Sequence, residues 1–134
     1  MVKRLECELS GTAIVVDDDH ASVSLLAEFL TIKGIKVVGK GYSGKDAVEL
    51  YQSLRPDFVF LDIMMPHFGG LYALEKIKNM NMNARVIVIT ADISSTTAEE
   101  IDRFKVPYIY KPYDFEEVVK ITKNWSGNKM DSDL

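Results

Sequence analysis

The sequence predicts an α/β domain: a five-stranded parallel sheet with helices packed on both faces. Three observations predict it. Five short apolar runs rich in β-branched residues recur along the chain, separated by segments whose apolar residues fall at helical spacing. The runs do not alternate apolar with polar, which marks strands covered on both faces. The connections are short, and such a strand–helix succession closes into a parallel sheet between two helical layers.

The elements follow in order. Residues 1–11 are mixed, end in Ser10-Gly11 and read as a short leader. Thr12-Ala13-Ile14-Val15-Val16 is the first strand, stopped by Asp17-Asp18-Asp19. Val23, Leu26, Ala27 and Leu30 then mark one face of a helix that Gly34 ends. Ile35 to Val38 is a second strand. Ala47, Leu50, Tyr51 and Leu54 give a second helix, stopped before Pro56. Phe58-Val59-Phe60-Leu61 is a third buried strand, ending at Asp62, and Leu71, Leu74 and Ile77 give a third helix. Val86-Ile87-Val88-Ile89 is a fourth strand, ending in Thr90-Ala91-Asp92, with a short polar helix expected from about Thr97 to Phe104. Tyr108-Ile109-Tyr110 is a fifth strand, ending at Lys111-Pro112. Asp114 and Glu117 have the spacing of a capping box, and Phe115, Val118, Val119 and Thr122 line the last helix. A polar tail is expected over 125–134, leaving 12–124 as the folded domain.

Composition sets the class. A chain of 134 residues with 47% hydrophobic and 27% charged residues makes one globular domain. Sixteen basic residues against twenty acidic ones give a formal charge of -4, which speaks against direct nucleic-acid binding and against an anionic membrane surface. Cys7 is the single cysteine, so no intramolecular disulfide forms. No apolar run reaches the ~20 residues of a membrane span, and the first residues lead into no signal-peptide core. The expectation is a cytoplasmic domain.

The placement of the acids is more informative than their number. In parallel sheets, sites gather beyond the carboxyl ends of the strands. The first strand delivers Asp17 and Asp18 there, the third Asp62, the fourth Thr90 and the fifth Lys111. If the first strand lies between the second and third, these five converge. Two carboxylates ~4 Å apart repel by about 4 kcal/mol at an effective dielectric near 20. A hard divalent cation with oxygen ligands relieves this, and Mg2+ is the natural candidate. Metal, ammonium and hydroxyl together suit the three equatorial oxygens of a phosphoryl group, and a carboxylate can be its nucleophile.

Each residue alone has a plainer role. Asp19 before a helix reads as a cap. Asp17 or Asp18 could be a turn residue, Asp62 a loop carboxylate and Thr90 a strand hydroxyl bonded to backbone. Gly39-Lys40-Gly41-Tyr42-Ser43-Gly44-Lys45-Asp46 approaches a phosphate-binding loop, but Asp46 stands where that loop needs a hydroxyl. Asp17-x-Asp19 faintly resembles the haloacid-dehalogenase phosphatases, and the likeness stops there. His20 and His67 read as surface residues, and Met64-Met65 and Met80-x-Met82 as gap-filling or edge residues.

Taken together, Ile14-Val15-Val16-Asp17-Asp18-Asp19, Pro56-Asp57-Phe58-Val59-Phe60-Leu61-Asp62-Ile63-Met64-Met65-Pro66, Ile89-Thr90-Ala91 and Tyr108-Ile109-Tyr110-Lys111-Pro112 resemble the receiver domain of two-component response regulators. The likeness runs from about Thr12 to Asn124. It implies a flavodoxin-like, doubly wound fold of the kind found in stand-alone chemotaxis regulators. It makes Asp62 the phospho-acceptor, supplied by a histidine kinase or phosphotransfer protein. Asp18 and Asp62 would ligate Mg2+ directly with the backbone carbonyl of Met64, and Asp17 through a metal-bound water. Thr90 and Lys111 would bind the phosphoryl oxygens. Thr90 and Tyr108 would form the switch, whose plain alternative for Tyr108 is a half-buried strand tyrosine. The Lys111-Pro112 peptide is often cis in that family, and Pro66 and Gly70 fit the loop after the acceptor, where a glycine relaxes the backbone constraint.

Four features depart from the family pattern. Gly69 stands where an acid often precedes the loop glycine. Phe104-Lys105-Val106-Pro107 replaces the usual Gly-Ala before the fifth strand. The fourth helix is short and rich in Ser and Thr (Ser94, Ser95, Thr96, Thr97), on a face such domains use for targets and dimers. Met64 and Asp92 fill the positions that tune phosphoryl lifetime, and an apolar Met64 should slow decay. Two function classes follow: a phosphorylation switch, self-catalysing but not a turnover enzyme, or a constitutive interaction module that keeps the fold without using the site. With about ten residues after the last helix, no output domain is expected within this chain, unless it is an excised receiver. The expected partner is therefore a downstream protein, met as a monomer or a phosphorylation-dependent dimer, without direct nucleic-acid or membrane contact.

Overall fold

A computed structural model describes residues 8–66, 69–91 and 94–132. The chain alternates β1 (Thr12–Val16), α1 (His20–Ile32), β2 (Lys36–Gly41), α2 (Gly44–Leu54), β3 (Phe58–Asp62), α3 (Gly70–Met80), β4 (Val86–Thr90), α4 (Ser95–Arg103), β5 (Tyr108–Tyr110) and α5 (Phe115–Ser132). The strands form one sheet in the order β2-β1-β3-β4-β5, every pair parallel. The order reverses at β1, so a crevice opens between the carboxyl ends of β1 and β3.

The apolar runs divide between two cores. Along β1, Ile14 and Val16 face the cluster shared with Ala47 and Tyr51 of α2, Leu74 and Ile77 of α3 and Ile101 of α4. Ala13 and Val15 face the cluster shared with Val23, Leu26 and Leu30 of α1 and Val118 of α5. Successive strand residues point to opposite faces, so a continuous apolar run is what two covered faces require. Phe58 and Phe60 sit on the α1/α5 side, and Val59 and Leu61 on the other.

Local chemistry fixes the ends. Gly34 follows α1 with φ 111°, a left-handed conformation open to glycine. Ser43 caps α2 by accepting from the Asp46 N–H at 3.0 Å, while Asp46 Oδ2 accepts from the Tyr42 N–H at 2.8 Å. This reciprocal cap accounts for the run that resembled a phosphate loop. Ser94 caps α4 through the Thr97 N–H, and Asp114 Oδ1 accepts from the Glu117 N–H at 3.0 Å, as the capping-box spacing predicted.

Several boundaries differ from the sequence reading. The second strand runs to Gly41 instead of ending at Val38, because a register shift between Ala13 and Ile14 lets Gly39 and Gly41 pair with β1. Leu50 and Leu54 lie so close to Gly39 that a side chain there would crowd them. The fourth helix starts at Ser95, and Ile101 anchors it in the core. The fifth continues as helix to Ser132, through the stretch expected to be a polar tail. Part of the expected leader packs: Leu9 is buried, and its N–H donates to the Lys33 carbonyl at 2.9 Å. Asp19 occupies the N-cap position of α1, but its carboxylate makes no cap bond and instead accepts from the Ser22 hydroxyl at 2.6 Å. Met65 is buried and Met80 packs on the core, while Met64 and Met82 are exposed. His20 is exposed and stacks on Tyr42, with ring centroids 3.8 Å apart. Cys7, His67 and Asp92 lie outside the described residues. No described helix is long and apolar enough to cross a membrane.

Candidate functional site

The strand order puts Asp17 and Asp18 directly beside Asp62. Val16 pairs with Leu61 across β1 and β3, so the residues that follow leave the sheet together. Carboxylate oxygens of Asp17, Asp18 and Asp62 all lie within 4.8 Å of one another. Asp17 and Asp62 are buried and Asp18 is exposed, which gives the cluster a solvent side and a protein side.

Lys111 reaches this cluster from the end of β5. Its Nζ donates to Asp17 Oδ2 at 2.7 Å and to Asp62 Oδ2 at 3.5 Å. The Lys111 N–H donates to the Thr90 carbonyl at 2.7 Å, tying the ends of β4 and β5. The Lys111-Pro112 peptide is cis. Thr90 is fully buried at the last position of β4. All five side chains singled out in the sequence therefore stand at one edge of the sheet.

The backbone supplies further donors. The Asp19 N–H donates to Asp17 Oδ1 and the Met64 N–H to Asp62 Oδ1, each at 3.0 Å. Each buried acid is thus fixed by a backbone N–H two residues on. The second oxygen of Asp62 takes the longer Lys111 contact, at 3.5 Å.

Burial raises the Asp62 carboxyl most. The Met64 N–H opposes this, the charge of Asp17 adds to it and Lys111 reduces it, leaving the group pushed up to about 6. For Lys111, burial alone would lower the ammonium, but the bond to Asp17 and the charges of Asp62 and Asp17 prevail and raise it. The site is thus short of positive charge: one ammonium serves three carboxylates. An all-oxygen donor set of this kind fits Mg2+.

Gly70 sits against this loop for a steric reason. A Cβ on Gly70 would lie 2.4 Å from the Asp62 carbonyl oxygen and 2.4 Å from Ile63 Cα. The requirement is close approach of helix α3 to the backbone of the acid, not the conformational relaxation the sequence reading invoked. Tyr108 is half-buried and packs on the α2–α4 side of the core, with its ring edge-on to the exposed Tyr110 at 5.7 Å. Two residues escaped the sequence reading. Ser22 and Tyr113 line a cleft of about 10 Å³ with Asp17 and Asp62, and burial raises the Tyr113 phenol. Ser22 gave no signal, since its place follows from the turn of α1. Tyr113, two residues after Lys111, could have been found by its position beyond β5.

That cleft has room for about one water, so the buried acids enclose no substrate, and the cluster meets solvent on the Asp18 side. A wider cavity, of about 1590 Å³, lies at the other end of the sheet.

Residues 13–123 match the family model of the response regulator receiver domain. The chain belongs to that family. This receiver domain is 33% identical over 108 residues to the chemotaxis protein CheY of Thermotoga maritima, covering 80% of this chain and 90% of that protein. It is 32% identical over 108 residues to CheY of Bacillus subtilis, again covering 80% of this chain and 90% of the relative. Among solved structures, it resembles a CheX-CheY-BeF3-Mg+2 complex from Borrelia burgdorferi at a TM-score of 0.79 and 28% identity, covering 84% of this chain and 87% of that one. A CheY-like receiver protein from Methanospirillum hungatei shares the fold at a TM-score of 0.84 and 19% identity, over 92% and 99% of the two chains. The flavodoxin-like doubly wound architecture expected from the sequence is the one observed.

Proposed function

We propose that this receiver domain is a phosphorylation switch in which Asp62 accepts a phosphoryl group from a phosphohistidine of a histidine kinase or phosphotransfer protein. The observation that carries the reading is the cluster of Asp17, Asp18 and Asp62 within 4.8 Å, bridged by Lys111. Asp18, Asp62 and the Met64 carbonyl would hold Mg2+, with Asp17 acting through a metal-bound water. When bound, Mg2+ neutralises the cluster and the charge that develops on the phosphoryl oxygens.

The remaining chemistry belongs to the chain. The Asp62 carboxylate oxygen forms the new bond to phosphorus. The bond from phosphorus to the donor imidazole nitrogen breaks, and its electron pair stays on that nitrogen. The Met64 N–H holds the other Asp62 oxygen and so aims the nucleophile. Lys111 exchanges its contact with Asp62 for one with a phosphoryl oxygen, and the Thr90 hydroxyl donates to another. The pull on Thr90 moves the end of β4, and Tyr108 on the neighbouring strand reorients with it, changing the face offered to a downstream protein. The thioether chain of Met64, 54% accessible, offers no hydrogen-bonding group to orient water at the site, so the phosphoryl group would be lost slowly. This is self-catalysed chemistry in a cytoplasmic signalling protein, without substrate turnover. The protein acts as a monomer or as a dimer formed on phosphorylation.

The test is an intact mass after incubation with Mg2+ and acetyl phosphate. One phosphoryl adduct, absent in Asp62→Asn and absent without Mg2+, is expected. No adduct, together with no response to beryllofluoride, would leave a constitutive interaction module as the function.

A further inference from the structure

At the amino-terminal edge of the sheet, opposite the acids, lies an open groove of about 1590 Å³. Among the described lining residues, its charge is opposite to that of the molecule. Arg55, Lys78, Arg85, Arg103 and Lys105 line it, and Asp57 is the one carboxylate among the described lining residues. Asp57 is already engaged, accepting from the Thr12 N–H at 2.9 Å and from the Thr12 hydroxyl at 3.3 Å. Among the described residues, Arg55, Arg85 and Lys105 make no ion pair.

These cations are planted on rigid elements. Arg55, Arg85 and Lys105 stand just before β3, β4 and β5. The Arg55 guanidinium lies 5.2 Å from the Tyr51 ring, and that of Arg85 5.2 Å from the Phe58 ring. Stacking of this kind restrains a guanidinium before any ligand arrives.

The backbone adds an independent observation. Arg55 and Lys105 are the two non-glycine residues with positive φ among the described residues, at 44° and 55°. Both follow helix ends, where glycine carries the least strain. Long cationic side chains stand at both positions, and both line this groove. Such strain gathers at functional positions.

We propose that the groove binds an acidic peptide segment of a partner protein, with large apolar side chains among its carboxylates. A volume above the roughly 300–1,000 Å³ of small-molecule pockets suits an extended ligand. Guanidinium groups match carboxylates in a two-pronged geometry. Met80, Trp125 and the 79% exposed Met82 supply apolar contacts beside the cations. A nucleic acid presents a charge about every 1.7 Å along its axis, a continuous track that the few cations at this edge match poorly. A short acidic segment meets mainly the cations within a Debye length of about 8 Å.

The experiment is fluorescence anisotropy with the full chain and a fluorescein-labelled peptide repeating Glu-Glu-Leu. Saturable binding is expected, weakened about tenfold by Arg85→Gln and by high salt. The pair Arg55→Gly and Lys105→Gly should weaken binding to a similar extent while leaving the melting temperature unchanged or raised. Phosphoryl uptake on Asp62 should be unaffected, so this test and that of the switch fail separately. No saturable binding, equal affinity in the glycine pair, or equal binding of a Lys-Lys-Leu peptide would overturn the proposal. Tighter binding of an oligothymidylate would overturn it in favour of a nucleic acid. Self-association abolished by Arg85→Gln would overturn it in favour of a second copy.

Discussion

The Asp62 carboxyl offers a quantitative test of the metal-free site. Its value in the folded chain is about 6, against 3.8 for the free group. A raised carboxyl means that the folded protein keeps a proton the unfolded chain has already lost. Between pH 3.8 and about 6 the folded state binds more protons, so this group's contribution falls as pH rises through that window and stays low above it. Two units correspond to roughly 3 kcal/mol. The acid cluster has a solvent side, so screening reduces this to about 1–2 kcal/mol. Asp62→Asn removes the charge and leaves Lys111 its 2.7 Å bond to Asp17. With EDTA at pH 7, the variant should therefore be more stable than the wild type by about 1–2 kcal/mol, or about 3–8 °C in melting temperature for a chain of this size. At pH 4 the wild-type carboxyl is protonated and the two proteins should melt together. Saturating Mg2+ at pH 7 should raise the wild type by mass action and leave the variant almost unmoved. Equal stability at pH 7 without metal would refute the reasoning, as would a difference that persists unchanged at pH 4.

Lys111→Met leaves Asp17 and Asp62 without their shared ammonium. It should destabilise the metal-free protein by about 1–3 kcal/mol in urea titrations, and less when Mg2+ is present. Gly70→Ala drives a methyl group into the Asp62 and Ile63 backbone. It should cost about 1–3 kcal/mol and slow phosphoryl uptake from acetyl phosphate. Ser43→Ala removes the α2 cap; a loss of about 1 kcal/mol with unchanged phosphoryl uptake is expected, which separates stability from chemistry. Met64→Ala at the exposed position beside Asp62, the proposed acceptor, should shorten the phosphoryl lifetime, measured by decay of the mass adduct.

The strands were legible because burial on both faces demands uninterrupted apolar runs. Ala13 to Val16, Phe58 to Leu61 and Val86 to Ile89 are rich in β-branched and aromatic residues, which favours strands over buried helix segments for runs this short. The site was legible because a parallel sheet delivers the residue after each run to one edge. Asp62, Thr90 and Lys111 needed no more than that rule and a strand order. What escaped depends on three-dimensional fit. The bulge between Ala13 and Ile14 lengthens β2 through two glycines, which strand propensity disfavours. The bond from Ser22 to Asp19, in place of a cap, depends on the local course of α1. Helix α5 extends through Ser126 and Gly127 although both are weak helix formers.

The formal charge of -4 describes neither end of the molecule. A parallel sheet has two chemically different edges, and this chain places acids where the strands end and bases just before they begin. Asp17, Asp18, Asp19 and Asp62 gather at one edge, while Arg55, Arg85 and Lys105 stand at the other. The two sets are separated by the length of the strands, at least four residues or about 13 Å, which exceeds the Debye length at physiological salt. They therefore act almost independently. If the proposed phosphorylation and Mg2+ binding occur, they would alter the charge of the first edge without cancelling the field of the second, so a partner held by the basic groove would not have to be released when the acidic edge changes. On the two proposals together, one domain of this size would hold one protein steadily while offering another a face that changes.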